Sequence, residues 1–96
     1  MNWQEKLGEL FGATVNQDTL EEAALMMVVA SSNNFEYHNE CVTVLKSAID
    51  SCEKGETDSI SEINKSGYTV NSPESAKEIL SNLLETYLKE YSYEAN

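Results

Sequence analysis

Apolar and polar residues alternate along this chain in the pattern of several short amphipathic helices. The first stretch places its apolar side chains at i, i+4, i+7 and i+8 and stops at Gly12, which predicts a helix over residues 2–11. The second stretch, residues 19–31, follows a capping-box sequence that starts at Asp18, and it is apolar on nearly all sides. Because such a helix belongs in the interior, we expect it to be the central and most buried one, with the third and fifth helices against it.

The middle of the chain predicts a long helix followed by a short one. Inward-facing apolar positions recur over residues 36–54, and Gly55 is placed to end this third helix. A second capping-box sequence begins at Ser59 and predicts a short helix over residues 60–66. A strand over residues 59–63 is the competing interpretation.

The C-terminal part carries the strongest helix signal. Ser72-Pro73-Glu74 supplies an N-cap, a proline at the first helical position and an acid in the first turn. A long apolar stripe follows, so a fifth helix is predicted over residues 73–91. Together these segments predict an all-α fold, a small single-domain bundle of four to five helices in which residues 1–96 form one acidic helical domain.

The hydrophobic pattern also bears on the cellular compartment. The longest apolar stretch, residues 23–30, is far shorter than the roughly 20 residues that a membrane-spanning helix needs. The N-terminus lacks the basic region and apolar run of a signal peptide. We therefore expect a cytoplasmic protein with no membrane partner.

Charge is the most unbalanced property of the chain. Seventeen acidic side chains face six basic ones, which gives a net charge of −11, and all six basic residues are lysines. Such a surface repels nucleic-acid phosphates, and without arginine it lacks the fork that grips phosphate bidentately. We therefore expect no direct nucleic-acid binding, and we expect a basic protein surface as the partner.

The cysteines and the single histidine suggest no chemistry. Cys41 and Cys52 lie on one predicted helix at about 16 Å separation, beyond the roughly 7 Å limit for a disulfide. We interpret both as small buried apolar groups. His38 and Cys41 give only two ligands where a structural zinc site needs four. We therefore predict no metal, no cofactor and no catalytic residue, and we interpret His38 as a surface residue near a helix end.

Carboxylates are concentrated in like-charged helical pairs and in one junction. The pairs at positions 5/9, 36/40 and 74/78 each share a helix face, although like charges at this spacing weaken a helix. A further acidic concentration surrounds the junction between the third and fourth helices. Tyrosines beside these acids are potential interface anchors, although packing at the bundle edge explains them equally well. The candidate partner-binding residues are Glu36, Tyr37, Glu40, Glu53, Glu56, Asp58, Glu62 and Tyr68.

In size, charge and helicity the chain resembles small acidic proteins that neutralise basic effectors, namely bacterial toxin-immunity proteins and phage anti-defence inhibitors such as anti-CRISPR proteins. The segment Leu20–Ile49 resembles the tellurite-resistance TerB-like helical module, with an apolar helix, the polar turn Ser31–Asn34, then Phe35 and another helix. The acidic Ala-Asp-Gly turn of that family is absent here.

Two functions remain open at this point. The first is a non-enzymatic, stoichiometric inhibitor that covers a basic surface of a nuclease or another nucleic-acid-binding complex. The alternative is a structural or regulatory helical module that forms homodimers or hetero-oligomers. In that case Met26, Met27 and the aromatic end of the fifth helix would form an interface, and the acidic surface would serve mainly for solubility.

Overall fold

Five helices form the described part of the protein, which in this computed structural model comprises residues 2–12, 19–66 and 68–95. The predicted all-α bundle is confirmed. The helices are α1 (Trp3–Leu10), α2 (Leu20–Ser31), α3 (Phe35–Glu53), α4 (Asp58–Lys65) and α5 (Pro73–Ala95). The segment that allowed a strand interpretation is therefore helical, and α5 continues four residues past its predicted end at position 91. Within the described residues, no helix combines the length and apolar character required to cross a bilayer.

Helices α3 and α5 lie antiparallel and provide the framework of the bundle. The Nζ of Lys77, near the start of α5, lies 3.2 Å from a carboxylate oxygen of Glu53 at the end of α3. At the opposite end, His38 of α3 contacts Tyr87 of α5. Helix α2 packs on both of these helices, whereas α1 packs on α3 and α4. The core therefore runs between α3 and α5 and extends under α1 and α2.

The core consists of apolar side chains drawn from all five helices. Its two largest fully buried members are aromatic, Tyr87 and Phe11. Both cysteines are free thiols and are buried, as the sequence predicted. The other buried apolar residues are Leu7, Leu10, Ala23, Ala24, Met27, Val28, Val44, Leu45, Ala48, Ile63, Val70, Ala76, Leu80 and Leu83.

The prediction that α2 is the central helix is wrong, because α3 packs on all four other helices whereas α2 packs mainly on α3 and α5. One side of α2 is fully buried and includes Ala23 and Met27. The other side remains exposed, and the side chain of Val29 is 75 % accessible. The reason is topological: α3 and α5 pack against α2 from the core side, and among the described residues no helix covers its outer face. All-round apolarity here reflects an exposed apolar surface.

Helix starts were predicted with mixed success. Ser72 caps α5 as expected, since the backbone N–H of Ser75 donates to its hydroxyl at 3.2 Å. The N-cap of α2 is Thr19, whose hydroxyl accepts from the N–H of Glu22 at 3.1 Å. Asp18, the residue predicted to fill that role, lies outside the described residues.

The predicted N-cap at Ser59 is wrong. Helix α4 begins at Asp58, and Ser59 lies inside it with its side chain buried. Its hydroxyl donates to the carbonyl oxygen of Ala48 on α3 at 3.1 Å. The Ser59 hydroxyl therefore makes a tertiary hydrogen bond to α3, and it does not cap its own helix.

The end of α3 follows the sequence prediction closely. Gly55 adopts φ +78°, and its N–H donates to the carbonyl of Cys52 at 2.9 Å. The N–H of Glu56 donates to the carbonyl of Ser51 at 3.1 Å. These two bonds form a Schellman motif, which satisfies the last carbonyls of α3 and turns the chain towards α4.

Replacing Gly55 with alanine should lower the free energy of unfolding by about 1 kcal/mol, because a side chain is disfavoured at positive φ. Gly12→Ala is the matched control. Neither glycine has an atom within 4 Å of an added Cβ, but only Gly55 has a positive φ. Urea denaturation followed by circular dichroism measures both values. Equal losses in the two variants would contradict this explanation of the helix end.

Candidate protein-binding surfaces

Two of the predicted residues on α3, Tyr37 and Glu40, line a groove between α1 and α3, which we call the Tyr37 groove. It has a volume of roughly 260 Å³ and is lined by Lys6, Glu9, Leu10, Tyr37, Glu40, Cys41 and Val44. The ammonium group of Lys6 lies 3.5 Å from Glu40 and 3.8 Å from Glu9, so the acids at the groove share one cation. Glu36 is exposed in the first turn of α3. The structure thus brings Tyr37 and Glu40 together at one groove.

Tyr37 and Cys41 are neighbours on the inner side of this groove. Burial, together with its neighbour Cys41, raises the pKa of the Tyr37 hydroxyl well above its usual value. Burial raises the pKa of the Cys41 thiol to about 11, although a hydrogen bond with Tyr37 opposes that rise. A thiol with such a pKa is almost entirely protonated near neutral pH, so this pair lacks the thiolate needed for nucleophilic chemistry.

The other predicted acids surround the junction of α3 and α4, and most of them make local contacts. Glu53 pairs with Lys77, and Glu62 lies 3.2 Å from the ammonium group of Lys65. Glu56 accepts a hydrogen bond from Ser51 at 2.8 Å, which holds the turn after α3. The remaining acid of this set, Asp58, accepts a long hydrogen bond from Gln4 of α1 at 3.4 Å. These contacts tie the junction to α1 and α5.

Tyr68 is half-buried and has a packing contact. Its ring meets Phe11 edge-on, with ring centroids 6.0 Å apart, and it belongs to the side chains packed against the core. On the same side of the bundle, Gly8 allows α1 to approach α4 closely. A Cβ at that position would lie 3.0 Å from a carboxylate oxygen of Glu62. Helix α1 therefore sits tightly against α4 in this region.

Sequence reasoning named only Met26 of a further surface on α2, which we call the apolar face. It consists of Leu25, Met26, Val29 and Ala30, which together line a shallow hollow. A second, larger hollow between α2 and α5 is lined by Leu25, Val28, Val29, Ser31, Ser32, Asn33 and Tyr91. The signal was present as the all-round apolarity of α2, but it was interpreted as burial.

A chain of hydrogen bonds joins α2, α3 and α5 at one end of the bundle. The Ser31 hydroxyl donates to the carbonyl of Met27 at 2.7 Å, so its single proton is already used. The Tyr87 hydroxyl must therefore donate to Ser31, 2.7 Å away. His38 Nδ1, 2.8 Å from the Tyr87 oxygen, then donates its own proton to Tyr87. The proton of the neutral imidazole consequently sits on Nδ1.

The interpretation of His38 as a surface residue is corrected by these contacts. The imidazole is half-buried and stacks on the ring of Tyr91, with centroids 3.9 Å apart. Its role is to close an aromatic cluster between α3 and α5. Within the residues that the structure describes, no group of three or more potential ligands is placed to hold a metal ion.

Removing the Tyr87 hydroxyl should destabilise the protein by about 1–2 kcal/mol, because His38 then loses a buried acceptor. Tyr87→Phe keeps the ring and its packing, so the loss reports on the hydrogen bonds alone. Tyr91→Phe is the control, since the contact of Tyr91 with His38 is a ring stack. Thermal and urea unfolding measure both variants. A loss for Tyr87→Phe no larger than for Tyr91→Phe would show that the hydrogen-bond chain contributes little.

The Cys41 thiol should resist alkylation in the native protein. With a pKa of about 11, only about one thiol in a thousand is ionised at pH 8. Because the folded-state pKa is raised, the stabilisation from this thiol is complete below the unfolded value of about 8.5 and is lost as pH rises towards 11. Iodoacetamide labelling of the Cys52→Ala variant, followed by mass spectrometry, isolates Cys41. Labelling as fast in the native as in the urea-denatured protein would contradict this.

Comparison with known proteins gives no relative: no protein-family model matches the chain, and no curated sequence or solved structure matches it significantly.

Proposed function

We propose that this protein is a non-enzymatic acidic binding module that covers a basic surface of a partner protein as a stoichiometric inhibitor. The observation that carries the proposal is the surplus of exposed carboxylates over the cations that the fold provides. Four lysines of the described residues form ion pairs, with Glu9, Glu40, Asp50, Glu53 and Glu62. Exposed carboxylates outside these ion pairs are Glu5, Glu21, Glu22, Glu36, Glu56, Asp58, Glu74, Glu78 and Glu85.

These carboxylates lie at helix starts and on exposed helix faces, where water solvates them in the free protein. Negative potential of this extent steers a basic partner and accelerates encounter, and it disfavours acidic surfaces and nucleic acid. A partner surface that normally binds nucleic acid would lose access to its ligand while the module covers it. Toxin-immunity proteins and phage anti-defence inhibitors, which the chain resembles in size, charge and helicity, neutralise basic effectors.

A second candidate function has one observation in its favour. The exposed apolar face on α2 is the kind of surface through which a helical module forms oligomers. Met26 lies on this face, as that hypothesis required, whereas Met27 is fully buried in the core. An oligomerisation module would use the face for a second copy or a subunit, and its acidic surface would serve solubility.

Binding to the partner should be strongly salt-dependent. The immobilised protein is exposed to a cell extract at low salt, and retained proteins are eluted with a salt gradient and identified by mass spectrometry. For the purified partner, the association rate should fall by about tenfold or more between low and high salt, because charge steering is screened. Retained proteins should be basic and bind nucleic acid.

A pair of charge-matched variants shows whether the Tyr37 groove contributes. Glu36→Gln with Glu40→Gln removes one charge in the first turn of α3 and one at the groove, and Glu74→Gln with Glu78→Gln removes two at the start of α5. The first pair should slow association more than the second if the partner meets the α3 acids. Salt-independent affinity, or retention of acidic proteins only, would refute the proposed function.

A further inference from the structure

We infer that the apolar face on α2 binds an amphipathic helix of the partner that carries lysine or arginine beside its apolar stripe. The face is contiguous, because Leu25 and Val29 form one row at i, i+4 spacing and Met26 and Ala30 form the neighbouring row. Leu25 is 41 % exposed, Met26 44 % and Val29 75 %. A helix that turns two adjacent apolar rows to solvent has the pattern of an interface surface.

The shape of the region favours a helical occupant over an extended peptide. The backbone groups of α2 are engaged within the helix, and the described residues contain no strand edge to which a peptide strand could add. Beside the apolar face, the larger hollow extends from Leu25 and Val29 to Tyr91 on α5. A groove between two helices accepts the apolar side chains of a third helix at i, i+3, i+4 and i+7.

The charges beside the apolar face indicate which residues flank the apolar stripe of the bound helix. Glu21 and Glu22 are exposed one turn before Leu25 and Met26 and lie on the same side of α2. Between Lys6 and Lys46 the chain contains no lysine or arginine, so the charged side chains of α2 itself are all carboxylates. Cationic side chains that flank an apolar stripe would meet these carboxylates as the stripe meets the face.

The same charge argument disfavours a second copy of this chain as the occupant. A symmetric dimer through the face would bring together two molecules that each carry a charge of −11. It would also offer the Glu21 and Glu22 carboxylates no cation from the partner's corresponding segment. A basic amphipathic helix would contact the apolar face with its apolar stripe and the Glu21 and Glu22 carboxylates with its cations. This inference rests on the proposed function for the existence of a partner protein, whereas the sign of the flanking charge follows from Glu21 and Glu22.

The test uses a synthetic helical peptide with leucines at i, i+3, i+4 and i+7 and lysines on both flanks. A second peptide replaces every lysine with glutamate, and a third replaces every leucine with serine. Titration of the isotope-labelled full chain, followed by amide chemical shifts, should place the lysine–leucine peptide on α2 around Val29. Binding to the other two peptides should be weaker by about tenfold or more.

Variants of the protein separate the apolar and the charged contributions. Val29→Glu should weaken binding of the lysine–leucine peptide by about tenfold, because it places a charge within the contact. Leu88→Ser is the matched control, since Leu88 is an exposed leucine of α5 outside the apolar face. Glu21→Gln with Glu22→Gln should reduce both affinity and its salt dependence. Circular dichroism verifies that each variant is folded.

Each contrary result overturns a distinct part of the inference. Shifts confined to the Tyr37 groove would reject the apolar face and leave the proposed function standing. Equal binding of the glutamate-flanked peptide would reject the cationic partner, and with it the electrostatic basis of the proposed function. A dimer in analytical ultracentrifugation that Val29→Glu dissociates would show that a second copy occupies the face.

Discussion

The antiparallel packing of α3 on α5 is the constraint on which the rest of the molecule depends. Apolar side chains close the seam along its length, and polar contacts define its two ends. At one end Lys77 pairs with Glu53. At the other, Tyr87 links His38 to Ser31, so the position of α2 is tied to the same seam. The buried members of this chain have partners, and among the described residues no buried side-chain polar atom lacks one.

That arrangement leaves the two sides of the bundle with different properties. On the side of α1 and α4, helices pack closely and several acids are used in local hydrogen bonds and ion pairs. On the side of α2, one helix is packed from within and open from without. Some carboxylates therefore stabilise the fold, and others are exposed outside ion pairs. The exposed apolar surface lies in a segment, between Lys6 and Lys46, that contains no lysine or arginine. The proposed role in protein binding builds on this asymmetry.

Local patterns predicted those features that local physics controls. Helix periodicity identified all five helices, and the glycine after α3 and the serine before α5 ended and began them as expected. The free, buried cysteines followed from their spacing on one helix. Predictions failed where a tertiary contact competed with a local one: Ser59 bonds Ala48 on another helix and does not cap its own.

The candidate binding surfaces were likewise predictable from the sequence only in part. The sequence by itself determined the helical class and the excess of acidic over basic side chains. Only the tertiary structure decided which apolar residues face water, because helix periodicity defines faces but not which faces receive a neighbour. It placed the outer rows of α2 in solvent and drew His38 into an aromatic cluster. Burial depends on the packing of other helices, and no local pattern within α2 or α3 encodes it.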